Sequence, residues 1–106
     1  MLYKDILLID DDTDDAEIFI EAVISLGKDI RCHYNTDAVM ALDELRLSEK
    51  LPDLIFINLN MPRLNGFDLI QLLQNDSRLK QIDVILMSSS SEEIIRLMTP
   101  QRPFGR

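Results

Sequence analysis

"PDLIFINLNMPRLNG", Pro52 to Gly66, is the stretch on which the fold turns. Its first part, Asp53 to Asn58, is a continuous apolar run that ends abruptly on an asparagine. Unbroken apolar runs of this length are what parallel strands buried on both faces require. The next part, Leu59 to Gly66, carries proline and glycine and reads as a loop. Phe67 to Gln74 then reads as a helix, with Phe67, Leu69, Ile70, Leu72 and Leu73 as its apolar positions. Strand, loop and helix together make one βα unit.

The same unit recurs on either side. Upstream, "DILLID", Asp5 to Asp10, is a second buried-strand run capped by acid. Asp12 or Thr13 can cap the helix that follows, and Asp14, Asp15 and Glu17 complement its positive end. That helix is expected to bury Ile18, Phe19, Ala22, Val23 and Leu26 and to stop at Gly27. Asp29 to Asn35 reads as a more exposed strand, and Asn35 or Thr36 begins a helix striped by Ala38, Ala41, Leu42 and Leu45. Downstream, Asp83 to Ser88 is a fourth strand, and Ser91 to Met98 opens a fourth helix capped by Ser90 or Ser91. Repeated βα units imply a parallel sheet with helices on both faces. Ligands bind such sheets at the carboxyl ends of the strands. Chemistry is therefore expected just after Asp10, Asn58 and Ser88.

Composition narrows the function classes. A chain of 106 residues, 46% hydrophobic, can bury one core, so a single domain over 1–106 is expected. The net charge of −8 argues against nonspecific nucleic-acid binding, since phosphates would repel it. The one cysteine, Cys32, excludes an intrachain disulfide and suits a reducing compartment. No apolar run approaches membrane-spanning length, and acid follows the first residues too soon for a signal peptide. A cytoplasmic protein with no membrane partner is expected. His33 and Cys32 read as structural or surface residues, and the scattered methionines as core fillers.

Each strand end has an ordinary reading beside a functional one. "DDDTDD", Asp10 to Asp15, is either an acid-rich helix start or a hard-cation site, because Mg²⁺ takes oxygen ligands and keeps several waters. Asn58 offers a neutral amide, and the Ser88 hydroxyl can donate to an anion or simply end a strand. "ILLIDDD", "PDLIFINLNMPRLNG" and "DVILMSSS", in this order, resemble the receiver domain of bacterial two-component response regulators, over about residues 4 to 98.

The resemblance implies a flavodoxin-like doubly wound α/β fold, whose full form has the strand order 2-1-3-4-5. It implies a domain that takes a phosphoryl group onto an aspartate from a sensor histidine kinase or phosphotransfer protein, with Mg²⁺ bound. On this likeness Asp11 is a direct metal ligand, Asp10 acts through water, and Asn60 gives its backbone carbonyl. Ser88 is the switch hydroxyl, and Met61, Pro62 and Gly66 shape the loop.

Two departures follow. Asn58 occupies the phosphoacceptor position, and a neutral amide is a far poorer nucleophile than a carboxylate. With one negative charge fewer, and Asn58 as a neutral ligand, Mg²⁺ is expected to bind only weakly. The family's fifth strand, ending in Lys-Pro, and its fifth helix have no counterpart; "QRPFGR" follows the fourth helix directly, and Arg102-Pro103-Phe104 only echoes that ending. The expected sheet is thus 2-1-3-4, with the fifth unit absent or truncated and 99–106 an atypical tail. An uncovered fourth strand would favour a homodimer through its edge or through element exchange. The rival enzymatic reading is a Mg²⁺-dependent phosphatase using Asp10 or Asp12 as nucleophile.

Overall fold

The apolar runs form strands and the periodic stretches form helices. The computed structural model describes residues 3–27 and 29–87. The strands are β1 (Asp5–Ile9), β2 (Arg31–Asn35), β3 (Leu54–Asn58) and β4 (Asp83–Met87). They alternate with helices α1 (Thr13–Ile24), α2 (Ala38–Leu47) and α3 (Gly66–Gln74), and a single 3₁₀ turn, Leu79–Gln81, precedes β4. All neighbouring strands are parallel, in the order β2-β1-β3-β4. This is the flavodoxin-like arrangement expected from the sequence.

Burial follows strand position. β1 and β3 lie in the middle, and Leu8, Ile9, Ile55 and Ile57 are sealed from solvent. Alternate residues of each central strand feed opposite cores, as the two-residue pleat dictates. Leu7, Ile9, Ile55 and Ile57 meet Ala41, Leu42 and Leu45 of α2 and Leu69 and Leu73 of α3. Ile6, Leu8, Leu54 and Phe56 meet Ala16, Phe19 and Val23 of α1. There Phe19 and Phe56 pack edge-on, with ring centres 4.9 Å apart and planes at 64°. That geometry sets the positive edge of one ring against the negative face of the other.

Several sequence expectations need correction. The buried face of α1 is Ala16, Phe19 and Val23, whereas Ile18 and Leu26 are 46% and 56% exposed. Spacings of three and four residues select one stripe on a helix, and Ile18 lies off it. The helix also ends at Ile24, so Leu26 belongs to the turn beyond. α2 is capped by Asp37, whose carboxylate accepts from the N–H groups of Val39 and Met40; Asn35 instead accepts from Asp37 N–H. α3 starts at Gly66, capped by Asn65, and Phe67 faces solvent. Asp53, expected in β3, lies just before it and binds the N–H groups of Lys4 and Asp5. Ser88, the fourth helix and the tail 99–106 with Arg102 lie outside the described residues.

Arg78 makes a tertiary contact that no sequence pattern announced. Its guanidinium donates to the carbonyl oxygens of Leu45, Arg46 and Ser48 at the end of α2. The last carbonyls of a helix have no partner within it. Here a side chain from the segment after α3 supplies donors to them, beside the Ser48 N–H that Leu45 O also accepts.

Candidate functional site

β1 and β3 are neighbours in register, with Ile9 opposite Ile57. The residues that follow, Asp10 and Asn58, are therefore delivered side by side at the carboxyl end of the sheet. Asp10 N–H donates to the carbonyl of Asn35 at 3.2 Å, which holds it against the end of β2. Asp10 is 1% exposed and is the buried charged side chain among the described residues. Asp11 and Asp12 face solvent. Asp12 caps α1 by accepting from Asp15 N–H at 3.1 Å.

Asn58 ties this acidic turn to β3. Its Nδ2 donates to Asp10 Oδ1 at 3.2 Å and, more loosely, to Asp11 Oδ1 at 3.5 Å. Its Oδ1 accepts from Asn60 N–H at 3.1 Å. These partners determine which way the amide points. The reverse orientation would set the amide hydrogens against an N–H group and its oxygen against two carboxylates. Asp10 Oδ1 also accepts from Asp12 N–H at 3.0 Å.

The second oxygen, Asp10 Oδ2, is buried and meets no fixed donor. Burial, above all, pushes the Asp10 carboxyl up to about 7. The Asp15 carboxyl beside it pushes the same way, through a hydrogen bond that exists only when one of the two acids holds a proton, and through like charge. The donors on Asp12 and Asn58 act in the opposite sense and are outweighed.

The loop after β3 closes the site from the other side. Leu59 N–H donates to Met87 O at 2.7 Å, and Gly66 N–H donates to Leu59 O at 3.0 Å. A Cβ on Gly66 would fall 2.5 Å from Leu86 Cδ1, 2.9 Å from Leu59 Cα and 3.0 Å from the Asn58 carbonyl. Only glycine lets the helix start approach the strand end so closely. Met61, Pro62 and Arg63 join Asp11 and Asp37 around a cavity of about 140 Å³. The Arg63 guanidinium reaches the Asp37 carboxylate at 3.4 Å and links the loop to the start of α2.

The structure thus brings together Asp10, Asp11, Asn58 and the Asn60 backbone, four of the positions singled out in the sequence. Ser88 is outside the described residues; Met87 before it pairs with Asn58. The sequence marks Asp15 only as a complement to the helix dipole; the structure adds its contact with Asp10. The two are five residues apart across the β1–α1 turn, a spacing that no helical or strand period marks. As arranged, these side chains do not fit a divalent cation. Among the described residues no three His, Cys, Asp or Glu side chains are placed to hold one. Asn58 presents hydrogens to the acids, and its oxygen is engaged elsewhere.

The response regulator receiver domain family matches residues 6–100. The chain is 29% identical over 92 residues to the probable methanogenesis regulatory protein FilR2 of Methanothrix harundinacea, covering 83% of this chain and 59% of that protein. It is 32% identical over 77 residues to protein PilG of Pseudomonas aeruginosa, covering 72% of this chain and 56% of PilG. Among solved structures it resembles the bacteriophytochrome response regulator RtBRR, with a TM-score of 0.71, 28% identity, and coverage of 92% of this chain and 63% of that one. The chain therefore spans less than two thirds of the length of each of these proteins. The phosphatase alternative finds no support in these likenesses, and its two candidate nucleophiles are a buried acid and a helix cap.

Proposed function

We propose that this chain, which belongs to the response regulator receiver domain family, is a receiver that signals without phosphorylation at its acceptor position. Receiver domains are generally signalling modules rather than enzymes, and they generally bind Mg²⁺ in an acidic pocket and interact with histidine kinases or phosphotransfer proteins. The observation that carries the reading is Asn58 itself. It stands at the end of β3, in contact with both acids of the pocket, where a carboxylate would have to be for phosphoryl transfer. An amide offers no acyl phosphate.

On this reading residues 1–106 form one receiver-like domain that works as a binding module in the cytoplasm, set by partner contact. A sensor histidine kinase or phosphotransfer protein is the partner of matching chemistry. Ser88 is the switch hydroxyl in the family's scheme, idle while no phosphoryl group is present. The family's Mg²⁺ set would fall on Asp10, Asp11, Asn58 and the Asn60 carbonyl, and with the Asn58 hydrogens turned toward both acids it would hold the ion weakly at most. Among the described residues no helix is long and apolar enough to cross a membrane. Among the same residues β4 is an outer strand and Ile85 is exposed, which supports a homodimer through that edge. Light scattering tests the dimer, and a monomer throughout the micromolar range would exclude it.

Intact-protein mass after incubation with a small-molecule phosphodonor and Mg²⁺ tests the main reading. The unmodified chain is expected to gain nothing, and Asn58→Asp to gain one phosphoryl group. A gain by the unmodified chain would overturn the reading and place the acceptor elsewhere.

A further inference from the structure

We propose that the Asn58 carboxamide does the structural work of a divalent cation in this chain, joining the acidic β1–α1 loop to the end of β3 so that the pocket keeps its shape without metal. The inference rests on the receiver reading and deepens it.

Asp10, Asp11 and Asp15 crowd one strand end, with Asp10 fully buried. Like charges at such range repel, more strongly as water is excluded. A proton shared between Asp10 and Asp15 relieves part of this, and a donor fixed toward Asp10 and Asp11 relieves more. Among the described residues no lysine or arginine pairs with Asp10 or Asp11; the arginine ion pairs go from Arg31 to Asp5, Arg46 to Asp76 and Arg63 to Asp37. What does lie there is the Asn58 amide, whose hydrogens carry partial positive charge to one oxygen of Asp10 and one of Asp11. Asn60 N–H holds the amide oxygen on the far side, so both hydrogens stay turned toward the acids.

An aspartate placed here would convert both donor contacts into oxygen–oxygen repulsion, which is the arrangement a bound cation relieves. Asparagine relieves it from within the chain. The same substitution that removes the nucleophile also removes the need for the metal. The β1–α1 and β3–α3 loops are then joined permanently, and divalent cation concentration loses its hold on their conformation.

Thermal unfolding of the wild type, Asn58→Asp and Asn58→Ala, each in EDTA and in millimolar Mg²⁺, tests this. The wild-type Tm is expected to agree in the two conditions within about 1 °C. Asn58→Asp is expected to melt about 4–8 °C lower in EDTA and to recover with Mg²⁺. Asn58→Ala is expected to melt lower in EDTA, since Asp10 and Asp11 lose the side-chain donor that joins them to β3. A wild-type Tm that rises with Mg²⁺ as much as that of Asn58→Asp would overturn the inference, as would an Asn58→Asp variant indifferent to EDTA. Should either variant not fold, the wild type decides alone. Its Asn58 side-chain amide resonances are expected to stay in place during Mg²⁺ titration, and their displacement would overturn the inference. The two readings fail separately. A Mg²⁺-dependent Asn58→Asp that takes up no phosphoryl group breaks the receiver chemistry and leaves the amide's role intact. A phosphorylated Asn58→Asp beside a Mg²⁺-dependent wild type does the reverse.

Discussion

Asp53 and Asp10 stand at opposite ends of the same sheet, and their acidities move in opposite directions. Before β3, Asp53 accepts hydrogen bonds from Lys4 N–H at 3.0 Å and Asp5 N–H at 2.9 Å, and these hold its carboxyl below the ordinary 3.8. Asp76, just before the turn that leads to β4, is lowered in the same way by the N–H groups of Leu79 and Arg78. After β1, Asp10 is buried beside another acid, and its carboxyl rises to about 7. The amino end of the sheet supplies donors to its acids, as a structural junction does. The carboxyl end gathers acids and buries one of them, and burial there outweighs the two donors that Asp10 accepts from, which is the pattern of a site. The Asn58 amide is the side chain that keeps that end together.

The contrast can be broken most forcefully at Gly66. Alanine there meets the backbone of Leu59 and Asn58, so Gly66→Ala should lower unfolding free energy by about 3 kcal/mol. Urea denaturation followed by circular dichroism measures it. A near-neutral result would mean that the loop after β3 has slack, and that the carboxyl end is not tightly built. Next in size is Arg78→Ala, on the donor-rich side of the molecule. It removes a donor from the carbonyls of Leu45, Arg46 and Ser48, of which Leu45 keeps only Ser48 N–H, and should cost about 2 kcal/mol in the same assay.

The smallest and most diagnostic effect is a pH dependence, read in EDTA. Asp10 holds its proton more tightly when folded, near 7, than when unfolded, near 3.8. Its contribution therefore favours the folded state in full at low pH and is lost as pH rises through about 7. Wild-type stability should fall from about pH 4 to about pH 7 and level off above, while Asp10→Asn stays level through that window and is the more stable of the two at its upper end. Asp53 gives the mirror image. Its lowered carboxyl contributes fully above 3.8, and that contribution fades as pH falls through the folded value. Asp53→Asn should therefore flatten the acid limb and leave the neutral region sloping. If both variants changed the same limb, the two ends of the sheet would not differ in the way described.

Much of this was legible in the chain alone because it is local. A strand buried on both faces must be apolar throughout, so β1 and β3 announced themselves, and the polar residue that ends each run marked Asp10 and Asn58. The α2 stripe of Ala38, Ala41, Leu42 and Leu45 follows the helical period, and all four are buried. What the sequence could not decide depends on segments far apart passing close together. Ile18 and Leu26 looked as apolar as Phe19, yet only the packing of α1 over β1 and β3 selected Ala16, Phe19 and Val23. Arg78 carries no pattern marking it as the cap of α2, thirty residues upstream. The residue type at 58 was plain from the start. That its amide hydrogens would face Asp10 and Asp11 was decided by tertiary structure, because hydrogen-bond direction is set by what surrounds a side chain, and sequence order alone does not contain it.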